Sequence, residues 1–397
     1  MKINNVSETK LEPDPIPLLF KNSLPRAATD QEEYYVYTYT EENSSHAIPR
    51  SVQHVVVDLS VTTIKDNAFQ SLYQLKTVDL PDSITSIGEQ AFMGCMSLES
   101  ITLPDSITSI GDRAFLACSK LKSVKLSESI TALGASAFSS CSSLESIKLP
   151  QSITSIGILT FSGCSSLTSI ELPDRLTSIG GMAFFQCYRL ASIKFPDAVT
   201  SIGSTAFLEC ISLKSIELPE YLISVEVGAF QACSGLESVK FPEHLASIRE
   251  RAFLGCASLT SIKLPDSVAT IAEDAFFGCS NLKRVCMSEG SSNTAGAEEA
   301  RAALPSPDTA LSFIGHGEAC TYPEDLGADL PVGQKTTDHG FFLPAAGGGG
   351  MITAAAVVFL LCVALLVQKR RSNNILVKNV EFVEANAGMT TELANFA

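Results

Sequence analysis

Nine cysteines, Cys95 to Cys279, recur at a fixed interval of 23 residues. Thiols in such an array suggest two chemistries, thiolate ligation of a metal or disulfide pairing. Zinc sites want paired C-x2-C knuckles, which the array lacks. Disulfides are closer to feasible, because neighbouring turns of a stacked chain bring equivalent Cα atoms to about 4.8 Å. Stacked side chains point in parallel, however, and small apolar Cys is among the most buried residue types. The array therefore reads as core thiols. Cys286 and Cys320 stand apart from it, and a disulfide between them could close a C-terminal cap.

Other columns repeat at the same interval. Asp82, Asp105, Glu128, Asp174, Asp197, Glu220, Glu243 and Asp266 form an acidic one, interrupted by Gln151. A row of carboxylates could hold Ca2+ between turns, but no Gly-Asp coordination pattern accompanies it, so each reads as a solvated turn residue. A serine column (Ser100, Ser123, Ser146, Ser169, Ser192, Ser215, Ser238, Ser261) runs beside a charged one: Lys125, Lys148, Glu171, Lys194, Glu217, Lys240 and Lys263. This polar strip suits contact with a protein or a glycan and is poor for apolar ligands; simple solvation of an exposed sheet face is the alternative. Phe185, Tyr188 and Tyr221 are a lesser candidate, since they break the small-residue habit of their columns, and buried packing explains them equally well. Catalysis finds no foothold. His46, His54, His244, His316 and His339 have no metal-ligand spacing, Gly134-Ala135-Ser136-Ala137-Phe138 lacks the final Gly of a nucleophile elbow, and the glycines at 347–350 lack the Lys and Ser/Thr of a phosphate loop. No enzyme, metal or cofactor is expected. The net charge of −15 argues against a nucleic-acid partner, which needs a concentrated basic face.

The columns exist because the chain itself repeats. Phe recurs at 69, 92, 115, 138, 161, 184, 207, 230, 253 and 276, and the unit reads L-x-S-I-x-L-P-[DE]-S-I-T-S-I-G-x-x-A-F-x-x-C-x-x. Residues 80–88 return letter for letter at 103–111. Ten copies fill 52–281 without an insertion, and the strand of an eleventh follows. One unit has no second layer against which to bury its apolar positions, so neighbours must supply it and the units stack into a solenoid. In S-I-x-L the alternation turns Ile101 and Leu103 inward and Ser100 and Thr102 outward. These strands should form one parallel sheet along the stack, about 4.8 Å per step and roughly 50 Å overall. Pro104 ends its strand, T-S-I-G suggests a second brief strand, and Ala-Phe opens a single helical or 3-10 turn.

The pattern L-x-x-I-x-L-P-x-x-[IL]-T-S-I-G-x-x-A-F-x-x-C resembles the BspA-type leucine-rich repeat. The resemblance covers 52 to about 287 and implies a right-handed, mainly β solenoid used in surface adhesion or protein binding, with no one ligand. Departures are local: Thr160 stands where the other units have Ala, and Glu226, Arg249 and Ala272 stand where they have Gly. The last three suggest turns that have lost a glycine conformation and a C-terminal third that bends differently.

Around the solenoid (52–288) the organisation is simpler. Residues 1–30 are polar and aperiodic and read as disordered. In 31–51 the run E-Y-Y-V-Y-T-Y from Glu33 is rich in β-formers and reads as a strand capping the first repeat. Residues 289–346, rich in Gly, Ala, Ser, Pro and Asp, read as a linker or stalk. Residues 347–367 carry no charge and are followed by Lys369, Arg370 and Arg371, so 347–368 reads as a transmembrane helix and 369–397 as a short tail. The basic flank places the tail in the cytosol and the repeats outside. Residues 16–20 are too short and too Pro-broken for a signal peptide. Export therefore requires a longer N-terminus, and the alternative is a cytosolic solenoid. The expected function is a single-pass membrane recognition or adhesion protein that binds a protein or glycan through the concave sheet face of the solenoid; a surface-coat or spacer element without a ligand is the structural alternative.

Overall fold

The computed structural model describes residues 36–44, 47–272 and 274–286. The segments 1–30, 289–346, 347–368 and 369–397 lie outside the described residues; among those described, no helix is long and apolar enough to cross a membrane.

Each 23-residue unit closes one coil of a β-solenoid. The inward residues of successive coils merge into one buried cluster running from Tyr39 to Val285. All ten repeat phenylalanines, Phe69 to Phe276, are at most 1% exposed. Their rings stack coil on coil with centroids 5.0–5.8 Å apart, and Tyr39 closes the N-terminal end edge-on to Phe69 at 5.0 Å. The backbone sets that spacing, wider than face contact, so the rings lie offset as their quadrupoles prefer. The strand Val36–Tyr39 pairs in parallel with His54–Val57, which pairs with Thr77–Asp79.

Two strand columns follow from the sequence, and both pair in parallel at the 23-residue register, as Ser146 opposite Ser169 and Ser86 opposite Ser109 show. The expected single sheet is not what forms. After Thr77–Asp79 the long-strand column falls into separate pairs: Ser100–Thr102 with Ser123–Lys125, Ser146–Lys148 with Ser169–Glu171, Ser215–Glu217 with Ser238–Lys240, and Ser261–Lys263 with Arg284–Cys286. Residues 192–194 join no ladder. The short-strand column breaks between Ala132–Leu133 and Ser155–Ile156, and again between Ser201–Ile202 and Ser224–Val225.

Both short-column breaks coincide with departures from the consensus. At Gly134 a Cβ would lie 2.3 Å from the preceding coil's Gly111 carbonyl carbon, so the normal step needs the glycine for close approach. At Gly157 the nearest atom of the preceding coil is 3.5 Å away, and nearer still, at 3.3 Å, is the hydroxyl of Thr160, which stands in Gly157's own coil in place of Ala. Thr160 is fully buried, its hydroxyl donates to the Gly157 carbonyl at 2.9 Å, and the adjoining Phe138–Phe161 step is the widest, at 5.8 Å. Glu226 brings a Cβ to the glycine position, and the ladder stops there; it resumes through Arg249 and Ala272, whose amides donate to Val225 and Ile248 at 3.0 and 2.9 Å. The loss is therefore one of close approach, not of a glycine conformation: none of Gly88, Gly111, Gly134, Gly180 and Gly203 has a positive φ.

The third side of each coil is the continuous one. The expected single helical or 3-10 turn takes the form of i→i+3 turns with two left-handed residues per coil, such as Gln90 (φ 55°) and Gly94 (φ 75°), and no continuous helix forms among the described residues. That winding aims alternate amides at the next coil. Phe92 donates to Ala114 at 2.8 Å, Gly94 to Leu116 at 2.7 Å and Gln90 to Asp112 at 2.9 Å. The Phe and Gly94 equivalents repeat at every step from Phe69 to Phe277 without a gap.

Candidate functional site

The serine and charged columns lie where the alternation places them. In Ser146–Lys148, Ile147 is buried while Ser146 and Lys148 are exposed, and the same holds for Ser100, Lys125, Glu171, Lys194 and Lys263. Glu217 and Lys240 are exposed too, but the Lys240 ammonium is spent on the Glu217 carboxylate of the coil before. A second row of charges lines the strip, with Lys122 3.3 Å from Glu99 and Lys214 3.1 Å from Glu237. Lys125, Lys148, Lys194 and Lys263 have no carboxylate within 4.0 Å among the described residues. The face is thus part ion-paired between coils and part free.

The sequence pattern began this strip at Ser100 and missed the coil before it. No ladder joins Thr77–Asp79 to Ser100–Thr102, and a shallow cleft of about 390 Å3 opens there. Its rim carries Thr77, Asp79, Asp82, Ser100 and Thr102. His54 braces that rim, with Nδ1 hydrogen-bonded to the Thr77 hydroxyl and Nε2 3.2 Å from the Asp79 carboxylate. The signal was present in the break of the serine column at Thr77 and of the charged column at Thr102.

The nine column thiols are free and buried, and each donates to the carbonyl of the preceding coil's Phe, Cys95 to Phe69 at 3.2 Å for example. Burial pushes the Cys95 and Cys233 thiols up to about 12 and raises those of Cys118, Cys141, Cys164, Cys210 and Cys256 as well. A thiol held neutral is neither nucleophile nor metal ligand. Cys286 is disulfide-bonded; Cys320 lies outside the described residues. The acidic column is exposed along its length. The aromatic set does not converge: Tyr188 donates to Glu209 at 3.3 Å and is partly buried, as is Phe185, whereas Tyr221 stands 59% exposed in another column.

A profile for the BspA type leucine-rich repeat region, of six copies, matches residues 43–168 and 154–283, well over half of the chain. The chain belongs to the BspA-type leucine-rich repeat family. Among solved structures this BspA-type chain is similar to a leucine-rich repeat protein from Bacteroides ovatus ATCC 8483 (27% identity, 68% of this chain and 85% of that one, TM-score 0.42). It is also similar to a leucine-rich cell surface protein from Faecalibacterium prausnitzii A2-165 (26% identity, 67% and 88%, TM-score 0.40). A third likeness is to the pneumococcal vaccine antigen PcpA (25% identity, 64% and 65%, TM-score 0.47). No curated protein matches the chain. BspA-type solenoids are binding scaffolds of surface proteins, consistent with adhesion or recognition.

Proposed function

We propose that the chain is a membrane-anchored recognition or adhesion protein that binds a protein or glycan through the long-strand face of its solenoid. Residues 347–368 are the anchor, the repeats face the exoplasmic side, and 369–397 is the cytosolic tail. One observation carries the reading: stacking consumes the inward residues of every coil, while hydroxyls and charges on the strand face stay at the surface at one-coil intervals. A disulfide at Cys286 also agrees with an oxidising, exoplasmic setting.

The spacer reading has an observation of its own. Lys240–Glu217 and Lys214–Glu237 clamp adjacent coils, so some of the face serves the stack. Reversing Lys125, Lys148 and Lys194 together to Glu separates the two. Full-length protein in nanodiscs, applied to immobilised matrix proteins and oligosaccharides, should lose about tenfold or more of its affinity if these charges meet the ligand. Unchanged binding would count against a site on this face. Protease accessibility on intact cells tests the topology: repeats that resist cleavage there would place the solenoid on the other side.

A further inference from the structure

We infer that the cleft between Thr77–Asp79 and Ser100–Thr102 is a sugar-binding subsite for a neutral glycan. This rests on the recognition reading above and sharpens it to one ligand class and one coil step. The argument begins with the open seam. Leu80 is only partly buried, as is Leu172, whereas their equivalents Leu103, Leu149, Leu218 and Leu264 are 1–3% exposed; at Leu80 the exposed edge lies in a cleft. With the strands unladdered, Leu80, Ile101 and Pro104 supply a small apolar floor between two polar strand edges.

Above that floor stand three hydroxyls, from Thr77, Ser100 and Thr102, and two carboxylates, from Asp79 and Asp82. A hydroxyl both donates and accepts, and a carboxylate accepts from two donors at once. Together they match the two sides of a pyranose, a C–H face that is apolar and a ring of vicinal hydroxyls. His54 ties Thr77 to Asp79, so part of the rim is held in place before any ligand arrives, which lowers the ordering cost of binding.

Charge and size select among ligands. The lining holds two carboxylates and neither lysine nor arginine, so a sulfated or carboxylated sugar is repelled. A volume near 390 Å3 lies at the lower end of the ~300–1,000 Å3 typical of small-molecule sites. A protein partner needs about 800 Å2 of its own surface covered, which a single seam does not supply. The subsite therefore takes one or two residues of a longer neutral chain.

The test is saturation-transfer NMR on the full chain in nanodiscs, with mannotetraose, N-acetylchitotetraose and lacto-N-tetraose as neutral probes and sialyllactose as the anionic one. Transfer to at least one neutral probe and none to sialyllactose is expected. Thr102→Trp places a strand-compatible ring in the cleft and should abolish the signal. Asp79→Asn, which keeps the shape, should weaken binding about tenfold. Lys148→Glu, outside the cleft, should leave it unchanged. Absence of transfer to all three neutral probes, equal transfer to sialyllactose, or a signal that survives Thr102→Trp in a variant melting like wild type would overturn the assignment. Should matrix proteins still bind in a Lys125-dependent way while no sugar does, the cleft assignment alone falls and the recognition reading stands.

Discussion

The turn side and the strand side of this solenoid repeat with the same period and are built to different standards. On the turn side amides of the Phe and Gly94 columns cross to the next coil at 2.6–2.9 Å at every step, and each thiol adds a bond back to the previous coil. On the strand side the ladder is broken into five pieces, and the outward residues are exposed hydroxyls and charges. Stability is concentrated where the consensus is strictest. The strand face is left to vary, and a face with little structural duty is where recognition can be placed without endangering the stack.

Alkaline pH should break that comparison with the largest effect. The buried thiols ionise only at high pH when folded but near their ordinary value of 9.0 when unfolded. Their stabilising contribution is complete below about pH 9 and is lost as pH climbs from there towards about 12, because the unfolded state releases protons first. The loss grows with each further unit of pH and is shared by the column thiols whose ionisation burial opposes. Circular dichroism during alkaline titration should show cooperative loss of the whole solenoid beginning near pH 10, while a variant with the nine cysteines replaced by alanine should start less stable but lose less of its stability over the same window, the buried Tyr39 phenol still contributing there. A wild-type solenoid that is as stable at pH 11 as at pH 8 would show the thiols to be accessible.

Next in size is the ring stack. Phe230→Ala removes a fully buried ring between two stacked neighbours and should cost about 3–5 kcal/mol in urea unfolding. Lys263→Ala on the strand face should cost less than about 0.5 kcal/mol. Similar losses from the two variants would erase the division of labour between the sides.

Most of this architecture was legible because burial and period are properties of the sequence itself: the phenylalanines, the thiols and the alternating strand residues lie where their spacing put them. What was not legible depended on differences of about an ångström between coils. Thr160 and Glu226 were visible as departures, but their consequence, a broken ladder at one step each, needs the distance at which the preceding coil's backbone passes Gly134 or Gly157. Left-handed backbone at Gln90, Arg113 or Leu159 left no trace either, since such conformations usually announce themselves as Gly or Asn. Here the amide bonds to the next coil hold them. The cleft escaped notice for a related reason. Periodicity points to what recurs, and the cleft lies where Thr77 and Thr102 depart from it.

The glycine column offers a narrower comparison, between a tight step and a wedged one. At Gly134 an added methyl meets backbone at 2.3 Å, so Gly134→Ala should cost about 1–3 kcal/mol through forced separation of two coils. At Gly157, where Thr160 has already opened the step, the nearest neighbours are the Thr160 hydroxyl at 3.3 Å and Ala135 at 3.5 Å, and Gly157→Ala should be nearly neutral. Urea midpoints for the two variants settle it: equal costs would mean that Thr160 does not set the width of that step.

The smallest effect concerns the strand side alone. Lys240 and Glu217 sit directly opposite each other in the ladder and are ion-paired, yet both side chains are more than half exposed. Exposed cross-strand pairs gain modest Coulomb energy in water and must hold two long side chains still. A double-mutant cycle with Lys240→Ala and Glu217→Ala should therefore give a coupling of about 0.5 kcal/mol or less, shrinking further in 1 M salt as the pair is screened. A salt-insensitive coupling above about 1.5 kcal/mol would make the charged column part of the scaffold and move the strand face towards the spacer reading. A small coupling leaves these charges cheap to release, so an incoming ligand can exchange an intercoil partner for its own at little cost to the fold.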